Sequence, residues 1–127
     1  MAGDDLIAVA DRIIRRELRV EEGASARTAA FLLRLALERE IDAYWESIGL
    51  GPVADNPMRP QLLCLAEYAD AAVAARASSL WGQLSQACHY HAYELAPTSR
   101  ELRRWHTEVS RLSARLRERR ETTPAEG

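Results

Sequence analysis

From Ser25 to Ile48 the apolar residues Ala29, Leu33, Ala36, Leu37, Ile41, Tyr44, Trp45 and Ile48 recur every three or four positions. A strand needs alternation with period two. This spacing instead lays one apolar stripe along a helix of about six turns. A helix that long with one wet face must cover its stripe with other elements. Ser25 is placed to cap it, and Gly49-Leu50-Gly51-Pro52 to stop it.

The rest of the chain supplies helical partners. An opening helix is expected from Asp5 to Val20, with Leu6, Val9, Ala10, Ile13, Ile14 and Leu18 on one face. Asp4 and Asp5 suit the positive end of its dipole, and Arg15, Arg16 and Arg19 the negative end. Pro57 and Pro60 bracket the start of a short helix whose apolar part is Leu62, Leu63, Leu65 and Ala66. Another helix is expected from Asp70 to Leu95, burying Val73, Ala77, Leu80, Trp81, Leu84, Cys88 and Leu95. Thr98 with Glu101 forms a capping box that opens the last helix. There Leu102, Trp105, Val109, Leu112 and Leu116 make a narrow stripe. The expected fold is all-α, an up-and-down bundle of four long helices plus one short helix. Residues 1–120 make one domain, and 121–127 are read as a disordered tail. Trp45, Trp81 and Trp105 all sit in apolar stripes and are expected inside.

Composition excludes several classes. A chain of 127 residues can bury one core without disulfides or metal, and 47% hydrophobic residues exclude wholesale disorder. No apolar run approaches the ~20 residues that span a bilayer. The acidic start, Met1 to Asp5, is not a secretory signal, so the expected location is cytoplasmic, with no membrane partner. Cys64 and Cys88 then read as two buried free thiols.

All the basic residues are arginine, the codon signature of a GC-rich genome. The net charge of −2 hides an uneven spread, because residues 99–120 carry eight arginines against three acids. That helix reads either as a solvated face with Glu101, Glu108 and Glu118 interspersed, or as a face that binds an anion or nucleic acid, RNA included, through phosphate contacts. Trp105 lies in the apolar stripe and leaves no aromatic to stack on bases, which favours the first.

The densest polar cluster is Cys88-His89-Tyr90-His91-Ala92-Tyr93-Glu94. On a helix reaching Leu95, His91 falls in the apolar stripe and His89 on the far side, so the two cannot share a ligand. His91 is either a core histidine with satisfied nitrogens or an acid, base or ligand at a cleft. Cys88, His91 and Glu94 are spaced to approach one ion, but there is no HExxH, paired-cysteine array or ExxH motif. No metal or cofactor is expected. Nor is there a Gly-x-Ser-x-Gly elbow or a Gly-rich phosphate loop. Arg34 and Glu38, one turn apart, can pair on one face. With His91 and Glu94 they are the candidate binding residues.

Several short motifs carry a resemblance. They are Arg27-Thr28-Ala29-Ala30, Arg34 with Glu38, Gln61-Leu62-Leu63-Cys64-Leu65, the run Leu84 to His89, and Pro97-Thr98 opening the last helix. In this order, from Arg27 to Leu116, the chain resembles the HEPN superfamily, most closely its larger members. The resemblance implies a helical homodimer, and Ala71, Ala72, Ala74, Ala75 and Ala77 give the penultimate helix a smooth surface that allows close helix contact. In active members it also implies a metal-independent ribonuclease marked by an Arg followed, after four to six residues, by a His. Here Arg100 and His106 have that spacing. On a regular helix their side chains point about 120° apart, and Arg103 is better aligned with His106. The catalytic candidates are therefore His89, His91, His106, Arg100 and Arg103. The expected function is a non-catalytic HEPN-like module acting by dimerisation or protein docking, in a defence or toxin–antitoxin setting. The alternative is an unusual or degenerate HEPN ribonuclease.

Overall fold

The computed structural model describes residues 3–15, 22–89 and 95–122. Among these, every regular element is helical: α1 (Asp4–Ile14), α2 (Glu22–Ser47), α3 (Met58–Tyr68), α4 (Ala71–Cys88) and α5 (Ser99–Thr122), with one 3₁₀ turn at Gly51–Asp55. No helix is long and apolar enough to cross a membrane among the described residues.

α2 is the hub, packed by α1, α4, α5 and the 3₁₀ turn. Every residue of its expected stripe is buried, and Ala26 and Ala30 widen the buried face. The alanines at 26, 29, 30 and 36 let neighbouring helices approach closely, while Leu33, Leu37 and Ile41 fill the layers between them. Each of those three is wholly buried, worth about 1.5–3 kcal/mol of transfer free energy. Truncating Leu37 to Ala would cost about 2–5 kcal/mol, because the packing around a wholly buried side chain relaxes only partly into the cavity. α2 ends where Gly49 turns to φ 80°. The Leu50 N–H donates to the Trp45 carbonyl at 2.8 Å, and the Gly49 N–H to Glu46 at 3.2 Å. These are the two bonds of a Schellman cap, and a glycine accepts that φ without strain. At the other end α2 begins at Glu22, so Ser25 lies inside the first turn and is not the cap.

α1 has 11 residues, shorter than its pattern suggested, and Leu18 and Val20 lie outside the described residues. Among the described residues there are thus three long helices and two of 11 residues. The start of α1 is pinned to the middle of α2. The Gly3 N–H donates to Glu40 Oε1 at 3.0 Å, and a Cβ on Gly3 would lie 2.8 Å from the Ala36 carbonyl oxygen. From α5, Arg117 reaches the same place, donating to Asp4 Oδ1 at 2.6 Å and Glu40 Oε1 at 3.2 Å.

α3 buries one face only. Leu62 and Leu65 are inside, but Leu63 is 76% exposed and Ala66 also faces solvent. Cys64 is exposed too, which corrects the expectation of a buried thiol. Gln61, 2% exposed, joins three segments. Its Oε1 accepts from Trp45 Nε1 at 3.1 Å, while Nε2 donates to the Asn56 carbonyl at 2.6 Å and the Ala54 carbonyl at 3.3 Å.

Asp70 caps α4, accepting the Val73 N–H at 2.7 Å. α4 stops at Cys88, seven residues before the expected Leu95; His89 is extended at φ −76°, ψ 129°. Leu95 is 95% exposed, not part of a core stripe. Hence His89 lies off the helix that its wheel placement assumed, while His91 and the rest of 90–94 lie outside the described residues. α5 matches its pattern. Thr98 Oγ1 accepts the Glu101 N–H at 3.1 Å, Glu101 Oε1 accepts the Thr98 N–H at 3.1 Å, and all five stripe residues are buried. The helix continues through Thr122, two residues beyond the expected domain end, and 123–127 lie outside the described residues.

Candidate functional site

α2 and α4 meet along an edge that gathers Arg27, Arg34, Glu38, Trp81 and Cys88. Arg34 and Glu38 do pair, at 3.9 Å from Nε to Oε2. That distance is an ion contact, not a hydrogen bond, and Arg34 Nε has no hydrogen-bond partner. Its guanidinium instead lies 5.6 Å from the Phe31 ring centroid. Glu38 is held from α4, since Trp81 Nε1 donates to its Oε2 at 2.8 Å. Trp81 is half-buried at this edge, not inside the core, with its N–H on a carboxylate that is itself partly exposed. Arg59 covers its ring at 5.4 Å. At the end of α4, Arg27 Nη1 donates to the carbonyls of His89 at 2.7 Å and Ala87 at 3.4 Å. A cation there satisfies carbonyls the helix leaves free and opposes its dipole.

Two titrating groups on this edge are perturbed. Burial pushes the Cys88 thiol up, and Glu38 adds to the rise, while Arg34 and Arg27 oppose it. Cys88 is half-buried and is not an activated nucleophile. Asp42, one turn beyond Glu38, is also raised, first by burial and then by the charges of Glu38, Glu46 and Asp55.

Of the remaining candidates, His106, Arg100 and Arg103 lie on α5, away from this edge. His89 is exposed at the end of α4. His106 lies in a cleft between α1 and α5 of about 270 Å³, shared with Asp4, Asp11, Ser110 and Arg117. Arg100 and Arg103 are exposed on α5. His91 and Glu94 lie outside the described residues. Among the described residues no group of three or more His, Cys, Asp or Glu side chains is placed to hold a metal ion.

A feature that sequence reasoning missed lies between α4 and α5. Two hollows, of about 630 and 590 Å³, share Ser79 and Gln83 and so form one groove along the two helices. Gln83 sets its middle, with Oε1 accepting from Trp105 Nε1 at 3.0 Å and Arg104 Nη2 at 3.1 Å. The signal was available in Ala75, Ser79 and Gly82, three small residues at steps of three and four on the outer side of α4.

The chain matches no protein-family model, no curated protein and no solved structure.

Proposed function

We propose that the chain is a HEPN-like, non-catalytic helical module that acts by dimerisation or by docking a protein partner. The groove between α4 and α5 carries this reading. Two packed helices normally interlock their side chains; here, on either side of the Gln83 bridge, the small residues of α4 leave hollows between them. An up-and-down arrangement is supported by the cross-helix bonds. Gly3 meets Glu40, Trp81 meets Glu38, Arg27 meets His89 and Arg117 meets Asp4. The homodimer, the cytoplasmic location and the defence or toxin–antitoxin setting rest on the sequence reading alone.

One observation favours the ribonuclease alternative. Arg27 lies against the backbone of His89, so α2 brings an arginine to a histidine that no spacing along the chain would pair. In such chemistry a neutral histidine would take a 2′-hydroxyl proton while an arginine stabilised charge on the phosphate. Incubation with structured and single-stranded RNAs, without metal, separates the two. The docking reading expects intact RNA and a light-scattering mass about twice that of the chain. RNA cleavage abolished by His89→Ala, His91→Ala or His106→Ala, in variants that keep their helical circular dichroism, overturns it.

A further inference from the structure

We propose that the α4–α5 groove receives an acidic amphipathic helix of a partner protein; this deepens the docking reading and rests on it. The groove follows α4 from Val73 to Ala87, roughly 20 Å or four helical turns. Under its larger hollow the base is apolar, formed by the exposed Ala75 over Val73, Leu80 and Leu112, which are each only 2–4% exposed. On the α4 wall a Cβ added to Gly82 would meet nothing within 4 Å. Small side chains on one wall are what lets a third helix approach to the usual 8–10 Å.

The rim decides the charge of the occupant. Arg76, Arg104, Arg111 and Arg115 line the groove against Glu101 and Glu108. Arg115 is engaged with Glu118 and Arg104 with Gln83. Arg76 and Arg111 make no hydrogen bond or ion pair among the described residues. An apolar base flanked by free guanidiniums is complementary to a leucine-type stripe flanked by carboxylates. Nucleic acid fits less well, because a phosphate backbone has no apolar face to cover the base. The Trp105 ring is 4% exposed with Arg104 over it, so it offers no stacking surface. A second copy docked groove to groove would bring the same arginines together.

The test uses a labelled four-turn peptide with Leu at helical i, i+3, i+4, i+7 positions and Glu on both flanks. A peptide with Lys in place of Glu and a single-stranded RNA serve as controls. Fluorescence anisotropy should show saturable, salt-sensitive binding of the Glu peptide. Affinity should fall by about tenfold or more in Arg76→Glu with Arg111→Glu. Gly82→Leu should also block binding. This variant fills the groove and replaces a mid-helix glycine, so it should fold at least as well as the parent, by melting temperature. Equal or tighter binding of the Lys peptide or the RNA, no binding of the Glu peptide, or full binding by Gly82→Leu overturns the inference. So does a change of oligomeric state in the Arg76→Glu, Arg111→Glu variant, which would make the groove a self-interface. Failure of the Glu peptide alone, with RNA left intact, removes this inference and leaves the docking reading. Histidine-dependent RNA cleavage removes the docking reading whatever the peptide does.

Discussion

Arg117, near the end of α5, donates to Glu40 Oε1 at 3.2 Å, and Glu40 is only 2% exposed. Glu40 also accepts the Gly3 N–H, and Arg117 also holds Asp4, so three helices meet at one buried carboxylate. Removing the guanidinium leaves that charge with a single backbone donor. Arg117→Ala should lower the unfolding free energy by about 3 kcal/mol, the cost of stranding a buried charge. Adding Glu40→Gln should recover part of the loss. Urea melts of the two single variants and the double variant check this, and strictly additive effects would rule out the coupling.

Asp42 gives a pH signature. Its folded carboxyl binds protons more tightly than the ordinary aspartate value near 3.8 allows. The folded state therefore gains relative to the unfolded one as the pH falls through the raised value. The destabilisation is fully present above the raised value and absent below about 3.8. Asp42→Asn should raise the melting temperature at pH 7 and leave it unchanged at pH 3. An equal rise at both pH values would sink the electrostatic account.

The thiols should separate kinetically. Cys64 is exposed on α3, whereas Cys88 is half-buried with its thiol held protonated by burial. A disulfide reagent at pH 8 should modify one thiol fast and one slowly, with Cys64→Ser removing the fast phase. Loss of the slow phase in that variant would contradict the assignment.

Tryptophan quenching should also be split. Trp45 is wholly buried and Trp105 4% exposed, while Trp81 stands at the edge under Arg59. Native emission should be blue-shifted relative to the unfolded chain. Acrylamide should quench one accessible component, which disappears in Trp81→Phe. Unchanged quenching in that variant would show that another tryptophan is open.

The stripes of α2 and α5 were fully legible, because a long amphipathic helix covered by several partners has little freedom in which face it buries. The Thr98–Glu101 cap and the Arg34–Glu38 pair were legible because they are local. What failed depended on where elements end and on contacts far apart in sequence. The end of α4 at Cys88 was hidden because no Gly or Pro marks it; the cation that caps it, Arg27, comes from α2. Trp81 reads as core in one dimension, yet its acceptor, 43 positions away, is a carboxylate on the partly exposed edge. The groove was invisible for the same reason. Small residues on α4 announce a close approach, but only the position of α5 shows that nothing in the described chain fills it.

The Arg117–Asp4 bond spans 113 positions, and it has a consequence for synthesis. α1 and α2 are neighbours in sequence and can pair as soon as both are made, burying the middle of α2. Glu40 is then held by the Gly3 N–H alone while its cation has yet to be translated. A nascent chain stopped before residue 117 should hold α1 loosely, and the last turns of α5 act as a latch that closes the hairpin when they arrive.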